Sequence, residues 1–244
     1  MKVQWLAKLT FLLGLLAAIA LLLTGPAFKQ GWWGAPMIFF KVYPAVVYGG
    51  LAALVLGLVA LVARWKSGKG SIVLALLGMV MAGGAASVPI SIKSKGAKVP
   101  AIHDITTDTT NPPQFVAIAP LRKEASNPVT YAGEEIASQQ RQAYPDIQTI
   151  KIREPVDKVF AAAQAMAREL GWTVHAAVAA DGRIEATAVT PWFGFADDVT
   201  IRVREGSSVT LVDVRSKSRV GRSDLGANAA RIRKFRDGLL AKLL

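Results

Sequence analysis

Between Asp213 and Asn228 the chain carries basic and hydroxyl side chains at spacings suited to an anion. Successive side chains of a strand point to opposite faces. Asp213, Arg215, Lys217 and Arg219 therefore share one face, and Val212, Val214, Ser216, Ser218 and Val220 the other. Gly221-Arg222-Ser223-Asp224 then lead into a helix expected to begin near Ser223. Free N–H groups at a helix start, with arginine nearby, bind phosphate or carboxylate. Arg215, Arg219, Arg222, Ser223, Asp224 and Asn228 are thus the candidate binding residues, and the ligand class is anionic or amphiphilic. The competing reading is structural: Ser223 or Asp224 caps the helix, and the basic face is a solvated edge paired with Asp213. Arg236 lies roughly 20° from Leu225 on a helical wheel, inside the apolar stripe. A buried guanidinium needs a partner, so a structural clasp to Asp197, Asp198 or Asp213 is expected, with Asp198 the named partner.

Other chemistry is sparse. WFGFADD sets Trp192, Phe193 and Phe195 beside two carboxylates, as a pocket lining, a lipid-directed tip or ordinary core. Asp197 and Asp198 are adjacent, so on a strand they face opposite ways and do not form a general acid/base pair. The chain has two histidines, His103 and His175, and no cysteine, and nothing at ligand spacing supports a metal site. No cofactor motif (P-loop, dinucleotide fingerprint or nucleophile elbow) occurs. An enzyme would need Asp104, Asp198, Arg219 and Asp224 to converge in three dimensions.

The elements that must position these residues begin with the charge distribution. The 244 residues carry a formal net charge of +12, which would ordinarily suggest nucleic acid. Residues 1–98, however, hold ten basic side chains and no carboxylate, while 99–214 hold ten basic and fifteen acidic, and 215–244 nine and two. The first block belongs in a bilayer, and nucleic acid is not the expected partner. Three stretches are long and apolar enough to span: about 5–23, 43–63 and 71–90. The intervening GPAFKQGWWGAPMIFFKVYP is rich in Pro and Gly and opposes a continuous helix. Its Trp32, Trp33, Phe39, Phe40 and Tyr43 suit a membrane–water interface. Only Lys8 falls inside a span, near its end, unlike the mid-membrane charges of pumps. Gly78, Ala82 and Ala86, and Ala53 and Gly57, form small-residue faces for packing within a three-helix bundle. The basic count on the two sides is tied; the dense loop RWKSGKG keeps that loop and the N-terminus cytoplasmic. The C-terminal domain is then expected outside, in the periplasm of a bacterial inner membrane.

Residues 91–102 read as a juxtamembrane linker whose Lys93, Lys95 and Lys98 suit anionic head groups. Residues 103–244 read as a soluble domain with an irregular lead-in to about 146, which wraps the remainder as a strap. IQTIKI is a strand. Pro155 opens a helix carrying Val159, Phe160, Ala163 and Met166, and Gly171 closes it. WTVHAAV and RIEATAVT flank a turn at Asp181-Gly182. Two further strands follow, then a helix with Leu225, Ala229, Ile232, Phe235 and Leu239 on one stripe. The order β-α-β-β-β-β-α defines a membrane-anchored α+β protein with an antiparallel sheet and two packing helices.

The runs WFGFADDVTIRV and VDVRSKSRVGRSDLGANAARIRKF, with HDITTDTTNPPQF upstream, resemble the bacterial domain-of-unknown-function family 1499 over about residues 103–244. The resemblance implies a membrane-associated envelope protein and carries no activity with it. The leading expectation is an integral membrane protein whose outer domain binds an anionic or amphiphilic envelope ligand or a partner protein. The alternatives are an envelope enzyme with a polar site around 213–228, and an assembly protein acting through its transmembrane helices.

Overall fold

The computed structural model describes residues 2–243. They divide into two compact units, residues 2–95 with 191–194, and residues 96–190 with 195–243.

Three helices in the first unit are long and apolar enough to cross a membrane. Helix α1 is Lys2–Lys29 and α4 is Ile72–Gly96. Between them a single helical run, Ala35–Ser67, comprises a first turn α2 (Ala35–Met37), a π-helical turn (Ile38–Val42) and α3 (Tyr43–Ser67). The expected break before Tyr43 is therefore confined to residues 30–34. The π-turn explains why: Tyr43 N–H donates to Ile38 O, five residues back, just before Pro44, which has no N–H to give. Pro26 and Pro89 likewise lie within α1 and α4.

The small-residue faces pack inside this unit. A Cβ on Gly14 would meet Gly78 O at 2.1 Å, and one on Gly50 would meet Ala82 O at 3.0 Å. Ala53, Gly57, Ala82 and Ala86 are buried with them, so the backbones touch where side chains are missing. Buried Thr10 returns its hydroxyl to Leu6 O of its own helix. Leu12, Leu16, Leu58, Val62 and Val80 face outward, as lipid-facing side chains do. Of the aromatic girdle, Trp32 and Phe40 are exposed, whereas Tyr43 is buried and stacks edge-on with Phe39 at 5.3 Å. The tetrapeptide 191–194 belongs to this unit. Trp192 Nε1 donates to Thr24 Oγ1 (3.3 Å), Lys29 Nζ to Pro191 O (2.6 Å), and Phe193 packs edge-on to Phe28 at 5.9 Å.

The second unit is built on an open antiparallel sheet. Its strands are β1 (Asp104–Thr106), β2 (Ile150–Ile152), β3 (Thr173–Val178), β4 (Arg183–Val189), β5 (Ala196–Glu205) and β6 (Thr210–Ser218). Their order is β1-β6-β5-β4-β3, with β2 also pairing β6. Short β1 and β2 thus share one edge of β6, at Arg215–Lys217 and Thr210–Val212. Between them Thr107 closes the ladder, its N–H donating to Val214 O and its Oγ1 accepting from Val214 N. Helices α6 (Val156–Glu169) and α7 (Ala227–Leu243) cover one face. From Ile150 onward the expected β-α-β-β-β-β-α order holds.

The core lies on that helical face. Val159, Phe160, Ala163, Met166 and Ala167 of α6, and Ala229, Ile232, Phe235 and Leu239 of α7, bury against Ile184, Val199, Ile201, Val212 and Val214. Trp172 stacks on Phe235 at 5.7 Å. Pro155 occupies the N-cap of α6, one position before the expected first turn. Gly171, at φ 75°, ends the helix in the left-handed conformation. The lead-in contains more structure than expected: β1, a 3₁₀ turn (Ala119–Arg122) and α5 (Glu134–Ala143).

Candidate functional site

The opposite face of the sheet is covered by the strap, residues 107–131, and carries charge where the helical face carries methyl groups. Asp213, Arg215 and Lys217 do share this face, but they are buried, with Arg215 wholly inaccessible. The expected solvated edge is thus an interior layer, because the strap lies over it.

Asp104 at the end of β1 is the first anchor. It accepts a bidentate pair from Arg215 (Nε 2.9 Å, Nη2 2.8 Å) and a third bond from Lys217 Nζ (2.8 Å). The same cations donate to strap carbonyls, Arg215 to Pro113 and Val129 and Lys217 to Thr130. Phe115 and Tyr131 sandwich the Arg215 guanidinium at 5.0 and 5.3 Å. Burial pushes the Lys217 ammonium below its usual range against the pull of Asp104. Burial, helped by the Asp104 charge, raises the Tyr131 hydroxyl to about 12.

Asp198 on β5 is the second. It accepts from Arg122 of the strap at 2.5 Å, from Arg219 Nε and Nη2 at 2.9 and 2.8 Å, and from Thr187 Oγ1 at 2.7 Å. Asp213 forms the third with Arg202 and Arg204, Thr149 Oγ1 donating at 2.6 Å. Glu185, fully buried, is the fourth. It takes the backbone N–H groups of Val116, Ala117 and Ile118 at 2.9–3.1 Å, together with Arg183. Removing one member of such a buried pair costs about 3–5 kcal/mol, so these residues fasten the strap to the sheet.

The candidate binding residues therefore separate. Arg215 is committed to Asp104 and Arg219 mainly to Asp198. Asn228 is buried on the helical face, where its amide donates to His103 O and Ser218 Oγ and its Oδ1 accepts from Ser216 Oγ. Asp224 acts as the cap, accepting from Gly226 N (2.8 Å) and Asn228 N (2.9 Å), and burial raises its carboxyl above the ordinary range. Ser223 Oγ accepts from Leu225 N at 3.2 Å. Of the six, Arg222 is the one whose side chain is exposed.

Helix α7 begins at Ala227 rather than Ser223, since Leu225 takes a left-handed φ of 55° and Gly226 one of 82°. Leu225 is 41% exposed and packs toward Gly96, the last residue of α4, where a Cβ would lie 3.0 Å from Leu225 Cδ2. Asp224 N donates to Ile102 O, and His103 Nδ1 lies 3.3 Å from Arg222 O. The junction thus rests on residues 96–103, the stretch emerging from α4.

Two expectations are corrected. The Arg236–Asp198 clasp does not form. Arg236 lies at the protein surface near Asp146 (3.5 Å) and Asp237 (2.9 Å), because the wheel angle counted Leu225 as helical. Asp197 pairs with Arg231 at 2.6 Å, a partner the sequence reading did not name. Nor do the four residues of the enzyme reading meet. Asp198 and Arg219 touch, while Asp104 holds Arg215 and Lys217, and Asp224 caps α7. An open cleft lies instead between the start of α6 and the β5–β6 turn, lined by Arg153, Glu154, Asp157, Phe160, Glu205 and Thr210. Among the described residues no group of three His, Asp or Glu side chains is placed to hold a metal ion.

Compared with known proteins, residues 104–239 match the model of a family described as "Protein of unknown function (DUF1499)", which is more than half of the chain. No curated protein matches the chain.

Proposed function

Because the chain belongs to the DUF1499 family, whose description names no activity, we propose a function from its own residues. It is an integral membrane protein whose extramembrane domain engages anionic lipid head groups through the junction Gly221–Gly226. The observation that carries this is the seating of Leu225, an exposed leucine in a left-handed conformation, on the last residue of α4. Such a conformation costs about 1–3 kcal/mol and persists where the surroundings impose it. Exposed Arg222 lies three residues before Leu225 in the sequence, and Lys98 two residues after Gly96. Each basic side chain near an anionic surface contributes about 1 kcal/mol.

The membrane of this reading is a bacterial inner membrane. The RWKSGKG loop and the N-terminus are cytoplasmic, and the domain lies in the periplasm. A reporter fused after Leu244 that is active only in the cytoplasm would reverse that orientation.

The head-group reading is tested on the full chain, delipidated in detergent and offered phosphatidylglycerol or phosphatidylcholine, with retained lipid counted by native mass spectrometry. The expected result is a preference for phosphatidylglycerol that falls on Arg222→Glu. An unchanged preference in that variant would remove the junction as the site.

A further inference from the structure

At the exposed end of the charged face, three side chains, from β3, from β5 and from the residue just after β6, converge on one hydroxyl. Strand β3 is the free edge of the sheet, and its register with β4 slips between Val174 and Ala176. His175 sits at that irregularity, where bulges re-aim side chains. Its ring is exposed, with Nε2 2.9 Å from Thr187 Oγ1. The same oxygen lies 2.7 Å from Asp198 Oδ1 and 3.3 Å from Arg219 Nη2.

Proton counting fixes the roles. Asp198 touches two guanidinium groups and is therefore the anion. The single hydroxyl proton of Thr187 goes to Asp198, so His175 Nε2 must be the donor to Thr187. That excludes Thr187 as a nucleophile deprotonated by His175. It leaves two groups with spare capacity on the solvent side. His175 Nδ1 has no hydrogen-bond partner among the described residues. Nor has Arg219 Nη1, on a side chain 25% exposed.

The charge behind them is unbalanced. Arg122, Arg219, Arg215 and Lys217 surround two carboxylates, Asp198 and Asp104. A buried cluster with surplus positive charge, open to solvent at Arg219, draws an anion to that open end.

We propose that the His175–Arg219 edge is an oxyanion site that takes a phosphate group. The phosphate is taken by the doubly protonated ring, the imidazolium, whose Nδ1–H donates to it while Nε2–H stays on Thr187, together with the free side of the guanidinium, and Thr187 and Asp198 hold both in position. The phosphate is that of a small phosphorylated solute or of a phospholipid head group. This site shares no residue with the Gly221–Gly226 junction and stands or falls apart from it.

The chain has two histidines, so ring ¹⁵N resonances read this site with an internal control. The full chain, labelled at histidine, is titrated with inorganic phosphate in a phosphate-free detergent. Saturable shifts of the His175 ring, with His103 unmoved, are expected. His175→Gln, a change at an exposed position, is expected to weaken phosphate binding by calorimetry about tenfold, as loss of one charge-assisted bond implies. Arg219→Lys is expected to weaken it too, and Lys234→Gln, at an exposed position on α7, to leave it unchanged. A His175 shift in phosphatidylglycerol nanodiscs without added phosphate assigns the lipid source, and a shift with inorganic phosphate alone assigns the free one. Linear shifts, equal movement of both histidines, or full affinity in His175→Gln would mean an adventitious ion only and overturn the proposal.

Discussion

The two faces of one sheet are buried by opposite means. Toward α6 and α7, strand β6 presents Val212 and Val214 to a core of aliphatic and aromatic side chains. Toward the strap, the alternate residues Asp213, Arg215 and Lys217 are equally buried but held by ion pairs and strap carbonyls. The apolar face gains from area removed from water and tolerates small changes of shape. The charged face gains little on balance from its pairs, yet loses heavily when one partner goes, because the other is stranded. One face therefore supplies stability, and the other fixes where the strap must lie.

That contrast is broken most sharply at Asp104. Asp104→Asn strands Arg215 and Lys217 together and is expected to cost about 3–5 kcal/mol in urea unfolding. Hydrogen exchange should rise first in residues 107–131. Glu185→Gln keeps the shape but removes the charge that gathers three strap N–H groups. Its expected cost is about 1.5–3 kcal/mol, again with strap exchange leading. On the apolar face, Ile201→Val should cost about 0.5–1.5 kcal/mol and leave strap exchange unchanged. If Ile201→Val loosens the strap as much as Glu185→Gln does, the two faces are not separate devices.

The smallest effect sharpens the comparison with surface charge. Arg233 holds the Asp146 carboxyl down at about 2, below the ordinary 3.8. Between those values the unfolded chain binds more protons than the folded one. The stabilisation is thus complete above the ordinary aspartate value and is lost as pH falls toward 2. Both side chains are more than a third exposed, so it is worth under about 1 kcal/mol. Asp146→Asn should lower stability by under about 1 kcal/mol at neutral pH, change little near pH 2, and so flatten the acid limb of stability against pH.

Much of the helical face was legible in the sequence, since Val159, Phe160, Ala163 and Met166 repeat at helical spacing and Gly171 and Gly182 punctuate the strands. The strap face was not, for a physical reason. Alternating charges on a strand read as solvated unless something covers them, and a strap held by side-chain-to-backbone bonds has no periodicity to announce it. Helix α5 was hidden similarly: its inward residues are Ala137 and Gln140, and the Gln140 amide bonds both Thr106 N and Thr106 O as a strand would. Leu225 misled by fitting the stripe of α7 while lying outside it, which moved both the helix start and the partner of Arg236.

The functional account rests on the junction lying at the membrane surface, and the cysteine-free chain makes that measurable. An environment-sensitive fluorophore on Leu225→Cys, in nanodiscs containing phosphatidylglycerol and brominated lipid, reports contact with the bilayer directly. The account predicts quenching by the brominated lipid, reduced when Arg222→Glu is added. A label untouched by brominated lipid and fully quenched by aqueous iodide would contradict it.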